Sequence, residues 1–323
     1  MPLPFATMGL GVGRMGAART KGGGALSDLL QLFRSGEDGF VFGPFTDLSR
    51  LFLLSNGSSG NVAADTDPVG LDLDRHSWGI GTSLTAILAA QTELLIAGSW
   101  TMSVAGGTST ATESPSGQLN LTGDGTNQAR GDQSFTTVVG RTYVLTYTVS
   151  TNSLSTCVIG TSLGGSQIGT AGSALGAQTF YFVATATTTW VRFGKTGAQL
   201  ATVTGISCKL VPGNHALQAT TTMRPFYKTN SGKPYLAPDG TDDRLISPFI
   251  PTANLTMALA CRITKGAAFV GMLGGGNSTG NKRAFIGLDA SGFLTVGWGT
   301  SVTETSPVDR SGADAVIVVT GDG

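Results

Sequence analysis

The stretch T142-Y-V-L-T-Y-T-V-S150 decides the fold class, because its apolar residues fall at every second position. Tyr143, Leu145, Tyr147 and Val149 lie on one side of an extended chain, and Val144, Thr146 and Thr148 on the other. Period two over eight residues, carried by β-branched and aromatic side chains, predicts a strand with one buried face. Working outward, similar segments occur at Trp100–Val104, Gln118–Leu121, Gln133–Val138, Cys157–Gly160, Gln178–Ala184, Thr189–Phe193 and Gly205–Val211. Turn-forming residues separate them at short intervals, which is the pattern of a β-sandwich over residues 98–212. Pro212-Gly213 marks its end.

A second β-rich stretch, residues 213–323, opens with an extended segment and the turn Pro238-Asp239-Gly240. Strands are expected at Leu255–Ile263, Ala268–Leu273, Arg283–Leu288, Leu294–Trp298 and Ala315–Val319. The last is a fully apolar core strand only four residues from Gly323, so this sandwich is expected to be incomplete and the natural chain to continue.

The first hundred residues differ in texture. Residues 1–24 are Gly-rich and basic with few large apolar side chains, and such a segment orders only against another surface. A short helix is expected at Leu26–Phe33, where Leu26, Leu29, Leu30 and Phe33 recur at helical spacing. Residues 1–40 therefore read as a docking arm, with Phe5, Arg14, Arg19, Leu29 and Phe33 as its contact residues. Residues 41–97 read as a small mixed module. In it Thr46 caps one helical turn holding Leu48, Leu51 and Phe52, Leu71–Leu73 forms a strand, and a helix covers Thr82–Leu95. The expected class is mainly β: an extended and helical anchor followed by two sandwiches in series.

Composition narrows the function. Only 12% of the 323 residues are charged, Gly occurs 48 times, and 40% are hydrophobic, which excludes a disordered chain. Twenty basic residues balance twenty acidic ones, so no global field draws in nucleic acid or an anionic membrane. No window is apolar enough for a membrane-spanning helix, and the N-terminus lacks the features of a secretory signal. Cys157, Cys208 and Cys261 show no metal or redox spacing and read as small buried hydrophobes.

Chemistry-bearing motifs are sparse. Gly11-Val12-Gly13-Arg14-Met15-Gly16 fits G-x-G-x-x-G, but no strand precedes it and no helix can follow through Gly22–Gly24, so a nucleotide site is not expected. His76 and His215 stand far apart, and neither a nucleophile elbow nor a metalloprotease helix is present, so no catalytic residues are assigned. Carboxylates cluster at Asp65, Asp67, Asp72 and Asp74, and again at Asp239, Asp242 and Asp243. The second cluster is the candidate for a structural calcium, which takes six to eight oxygens; the competing reading is turn-forming Asx residues. Candidate sugar-stacking rings are Trp100, Trp190 and Trp298, with Tyr143, Tyr147 and Tyr181 behind them, each weighed against ordinary core packing.

Three patterns carry a resemblance. DLSRLFLLSNGSSGNVAADTDPVGLDLDRHSWG (residues 47–79) resembles a short module of phage tail and fibre proteins. Residues 98–211 resemble the jelly rolls of carbohydrate-binding modules. RPFYKTNSGKPYLAPDGTDDRLISPF with LTMALACRI (residues 224–249 and 255–263) resembles the opening of a concanavalin-A-like or laminin-G-like domain. The resemblance as a whole is to fibre, adaptor or decoration subunits of tailed bacteriophages. It implies a non-enzymatic virion protein, assembled in the host cytoplasm, that attaches to other virion proteins by its N-terminus and projects its β domains as a homotrimer. Host surface polysaccharide is the implied external partner, with neither nucleic-acid binding nor membrane insertion. The alternatives are a carbohydrate-binding receptor module and a polysaccharide depolymerase, although depolymerases carry long repetitive β-helices and no such repeat occurs here.

Overall fold

The computed structural model describes residues 51–52, 57, 61–74, 83–230, 233–239, 241–247, 255–262, 270–277, 282–298, 302–309, 311–312 and 314–321. Beyond residue 254, side chains are described for residues 259, 286–297, 311, 312 and 317. The described residues are mainly β, arranged in several antiparallel sheets, with one α-helix. They fall into two compact units, 51–247 and 255–321. The arm residues Phe5, Arg14, Arg19, Leu29 and Phe33, and the helix expected at Leu26–Phe33, lie outside them.

The first unit begins with β1 (Leu51–Phe52) and β2 (Leu71–Asp72), which pair antiparallel. The helical turn expected to hold Leu51 and Phe52 is thus corrected to a strand. Neighbouring strand residues face opposite ways, and here that sends Leu51 and Phe52 into two different hydrophobic clusters. Leu51 joins Val62, Val69 and Tyr227, whereas Phe52 joins Leu71, Leu73, Val144, Tyr181 and Val211.

The helix α1 spans only Leu84–Ala89, shorter than the stretch Thr82–Leu95. Ser83 caps it by accepting from the Ala86 N–H at 3.2 Å. It stops because the next residues are claimed by the sheet: Leu94 N–H donates to the Cys208 carbonyl, and Glu93 holds the Cys208 N–H. Tertiary hydrogen bonds override good helix propensity here.

Ten strands follow: β3 (Thr101–Val104), β4 (Thr110–Glu113), β5 (Leu119–Thr122), β6 (Ala129–Thr136), β7 (Thr142–Ser150), β8 (Thr156–Gly160), β9 (Gly169–Thr170), β10 (Gly176–Val183), β11 (Thr188–Lys195) and β12 (Ala201–Leu210). They form two five-stranded antiparallel sheets, β10-β7-β12-β5-β4 and β3-β6-β11-β8-β9. One core joins them, with Leu145, Tyr147 and Val203 from the first sheet meeting Ile159, Val191 and Phe193 from the second. Tyr147 meets Phe193 edge-on at 4.9 Å, a favoured aromatic geometry. Burying a ring the size of Phe193 stabilises by about 2–3 kcal/mol. The alternation in β7 serves two cores: Tyr143, Leu145, Tyr147 and Val149 point between the sheets, while Val144 packs outside against Phe52 and Leu71.

After β12 the chain returns to where it left β2. Strand β13 (Ala216–Leu217) pairs with β2 and completes the sheet β1-β2-β13. A single 3₁₀ turn at Thr221–Met223 leads to the hairpin β14 (Phe226–Asn230) and β15 (Lys233–Ala237). Backbone bonds tie this return to the first turn: Thr66 N–H to Tyr227 O, Val69 N–H to Pro225 O and Tyr227 N–H to Asp67 O, each at 2.8 Å. Residues 51–74 and 214–247 therefore build one module, and the sandwich is an excursion from it.

The second unit holds β16 (Leu255–Arg262), β17 (Val270–Asn277), β18 (Lys282–Leu288), β19 (Phe293–Trp298), β20 (Val302–Asp309) and β21 (Asp314–Gly321). Strands β17-β18-β19-β20 form an antiparallel meander, and β16 pairs along its full length with β21. Ile286, Leu288 and Leu294 are buried.

Candidate functional site

The outer face of the second sandwich sheet carries a row of bonded polar and charged side chains. In β11, Val191 and Phe193 enter the core, so Trp190, Arg192 and Gly194 face the other way. Register sets their neighbours. One row runs Thr101–Asp132–Arg192–Val158–Thr170 across all five strands. The next holds Ser103, Arg130, Gly194 and Thr156, and the row on the other side Ser134, Trp190 and Gly160.

Arg192 grips Asp132 with two bonds, Nε to Oδ1 at 2.6 Å and a terminal nitrogen to Oδ2 at 3.2 Å. Such a fork is strong and fixes both planes. The turn at Gly164 lies against this guanidinium, leaving no room for a Cβ. In the neighbouring row a second girder crosses Gly194, where a Cβ would come within 2.5 Å of the Gln128 amide and the Thr156 hydroxyl. Arg130 Nε donates to Gln128 Oε1 at 2.9 Å, and Gln128 Nε2 donates to Thr156 Oγ1 at 3.2 Å. The result is a braced face of hydroxyls, amides and two guanidiniums beside a half-buried Trp190, with the turn at Gly164 and Gly165 packed on part of it. Oriented polar groups next to an aromatic ring suit a polyhydroxylated ligand.

The other ring candidates are placed as follows. Trp100 is 8% exposed and packs on Phe193 at 5.6 Å within the core. Tyr143, Tyr147 and Tyr181 are buried; Tyr143 Oη accepts from the Val138 N–H, and Tyr147 Oη donates to the Gly172 carbonyl. Trp298 ends β19, and its side chain lies outside the described residues. Cys157 and Cys208 are free thiols buried in the core, and burial pushes Cys157 up to about 12.

Carboxylate oxygens of Asp239, Asp242 and Asp243 lie within 4.8 Å of one another. Asp243 accepts from the Asp239 N–H at 2.8 Å, and Asp239 from the Thr241 N–H at 2.8 Å. Burial and the two neighbouring carboxylates raise the Asp243 pKa. These bonds define a self-sufficient Asx turn, and three oxygens make up half or less of a calcium shell. In the other acidic stretch, Asp67 accepts from the Ala63 and Ala64 N–H groups, and these bonds lower its pKa. Asp72 and Asp74 are fully buried. His215 is also fully buried; its Nδ1 accepts from the Asp74 N–H and its Nε2 donates to the Val211 carbonyl, so the ring is neutral. His76 lies outside the described residues.

Asp132, Arg130, Arg192 and Gln128 went unsingled in the sequence. The local signal for Arg130, Asp132 and Arg192 is period two in ARGDQSF and TTWVRF, where they alternate with buried residues; Gln128 precedes the first stretch and carries none. Among the described residues no helix is long and apolar enough to cross a membrane. Compared with known proteins, the chain matches no family model and no curated sequence.

Proposed function

We propose that this chain is a structural virion protein of a tailed phage, a fibre, adaptor or decoration subunit without enzymatic activity. It attaches through residues 1–40 to other virion proteins and projects its β units as a homotrimer. The observation that carries this reading is the joining of two of the stretches that bear the resemblance. The DPVG turn at 67–70, in the stretch like a phage tail and fibre module, and the segment 224–227, in the lectin-like stretch, are hydrogen-bonded to each other through Asp67, Val69, Pro225 and Tyr227. A module built from both ends of an excursion is a natural base for a projecting sandwich. The strand orders of the two five-stranded sheets support a jelly roll for that sandwich. The second unit follows the lectin-like motif and is read as a concanavalin-A-like or laminin-G-like domain.

Deleting residues 1–40 tests the attachment. The truncated chain should keep its β circular dichroism and melting transition yet be missing from purified particles. Incorporation of the truncated chain at normal level overturns the reading.

A second reading, a carbohydrate-binding receptor module, is favoured by the Trp190 face. A half-buried indole beside braced hydroxyl, amide and guanidinium groups is the lining a sugar requires.

A further inference from the structure

We infer that the outer face of the β3-β6-β11-β8-β9 sheet selects acidic over neutral polysaccharide, with Arg130 as the residue that reads the sugar carboxylate. This rests on the glycan-binding reading of the same face. The ionic row on that face is unbalanced. Asp132 is consumed by Arg192 in a two-bond fork, whereas Arg130, two residues from Asp132 on the same face of β6, has no carboxylate partner among the described residues. Its Nε is spent on Gln128, and its two terminal nitrogens have no partner among the described residues. The face therefore carries one net positive charge. A guanidinium with two adjacent free N–H groups matches a carboxylate in a bidentate manner.

The bracing adds to this. Gln128, held to Thr156 across the bare backbone of Gly194, fixes the Arg130 plane before any ligand arrives, so little conformational entropy remains to be lost on binding. Trp190 stands four residues from Gly194 on β11, roughly 13 Å along the strand at ~3.3 Å per residue. One sugar stacked on Trp190 and an acidic sugar over Arg130 would thus belong to a single short chain.

The experiment is calorimetric titration of the full chain with oligogalacturonate and with a neutral galactose oligomer of the same length. The acidic oligomer should bind about tenfold more tightly at low salt, the worth of one charged hydrogen-bonded contact, and this preference should shrink as salt rises. Arg130→Gln should remove the preference, Arg130→Lys should retain part of it, and Trp190→Ala should weaken both ligands. Melting curves check that each variant is folded. Equal binding of the two oligomers, or an acidic preference that survives Arg130→Gln, overturns the inference alone. Failure of both oligomers to bind overturns the glycan-binding reading together with it.

Discussion

The backbone N–H of Asp74 donates to Nδ1 of His215 at 2.9 Å, joining residues 141 positions apart at the base of the sandwich. Asn214 N–H donates to the Asp74 carboxylate at 2.9 Å, and Arg141 reaches the Asn214 side chain at 3.4 Å. The chain leaves its basal module at Asp74 and re-enters it at Asn214, so these bonds close the loop that contains the whole sandwich.

This closure is acid-sensitive. Burial lowers the His215 pKa below its ordinary value near 6.5; the Val211 carbonyl and the Asp74 carboxylate oppose that shift and Arg141 adds to it. The folded-state pKa lies below the unfolded one, so the unfolded chain binds the extra proton first, and stability falls as pH drops through about 6.5. The melting temperature should decline from pH 7 to pH 5, and a His215→Gln variant should start lower and decline less. Identical slopes for both proteins count against the assignment. His215→Ala leaves a cavity and a buried Asp74 N–H, and should cost about 3 kcal/mol in urea unfolding.

Asp132→Asn should destabilise by about 2 kcal/mol. Breaking a buried pair strands the partner charge, but the Arg192 side chain keeps 16% exposure, which moderates the loss. Replacing both residues by Val should recover most of it, measured by urea midpoint in a double-mutant cycle. Additive losses would show that the fork contributes nothing.

Glu93→Ala should cost about 2 kcal/mol although Glu93 is exposed. Its carboxylate accepts from Leu94, Leu95 and Cys208 N–H groups and from the Ser207 hydroxyl, pinning the point where β12 slips register between Thr204 and Ser207. Amide exchange at Cys208 should accelerate in the variant, and Glu93→Gln should restore part of the protection.

Asp124 should titrate near 2 by carbon-detected NMR, well below the ordinary carboxylate range. The Asn127 side-chain amide and the Asn127 and Thr126 N–H groups all hold its ionised form. A depressed folded-state pKa contributes stability above about pH 4 that is lost as pH falls towards 2. A midpoint near 4 would mean that the 124–127 turn does not form.

The strands were legible where apolar and β-branched residues concentrate: β7, β11, β18 and β19 lie where strands are expected, and β7 carries the clean alternation. Strands β4 and β9 were not, because TATE and GT carry no apolar alternation. The hairpin β14–β15 read as an extended segment, since its apolar partners, Leu51, Val62 and Val69, are supplied by distant sequence. Helix α1 was legible in kind and overextended, because nothing near Gln91 reveals that Glu93 will bind Cys208. Trp190 was legible as a candidate ring, but the arginines beside it were not, since the sequence does not show which strands pair.

By itself the sequence determined a charge-poor, mainly β chain and the two faces of β7, because alternation is a local property of an extended backbone. Only the tertiary structure decided that Asp132 and Arg192, 60 residues apart, form one fork, and that Asp74 and His215 close one base. Antiparallel pairing is set by register, and register is fixed by burying one face of each strand against elements far away in sequence. Face membership, and with it the candidate site, follows from that choice.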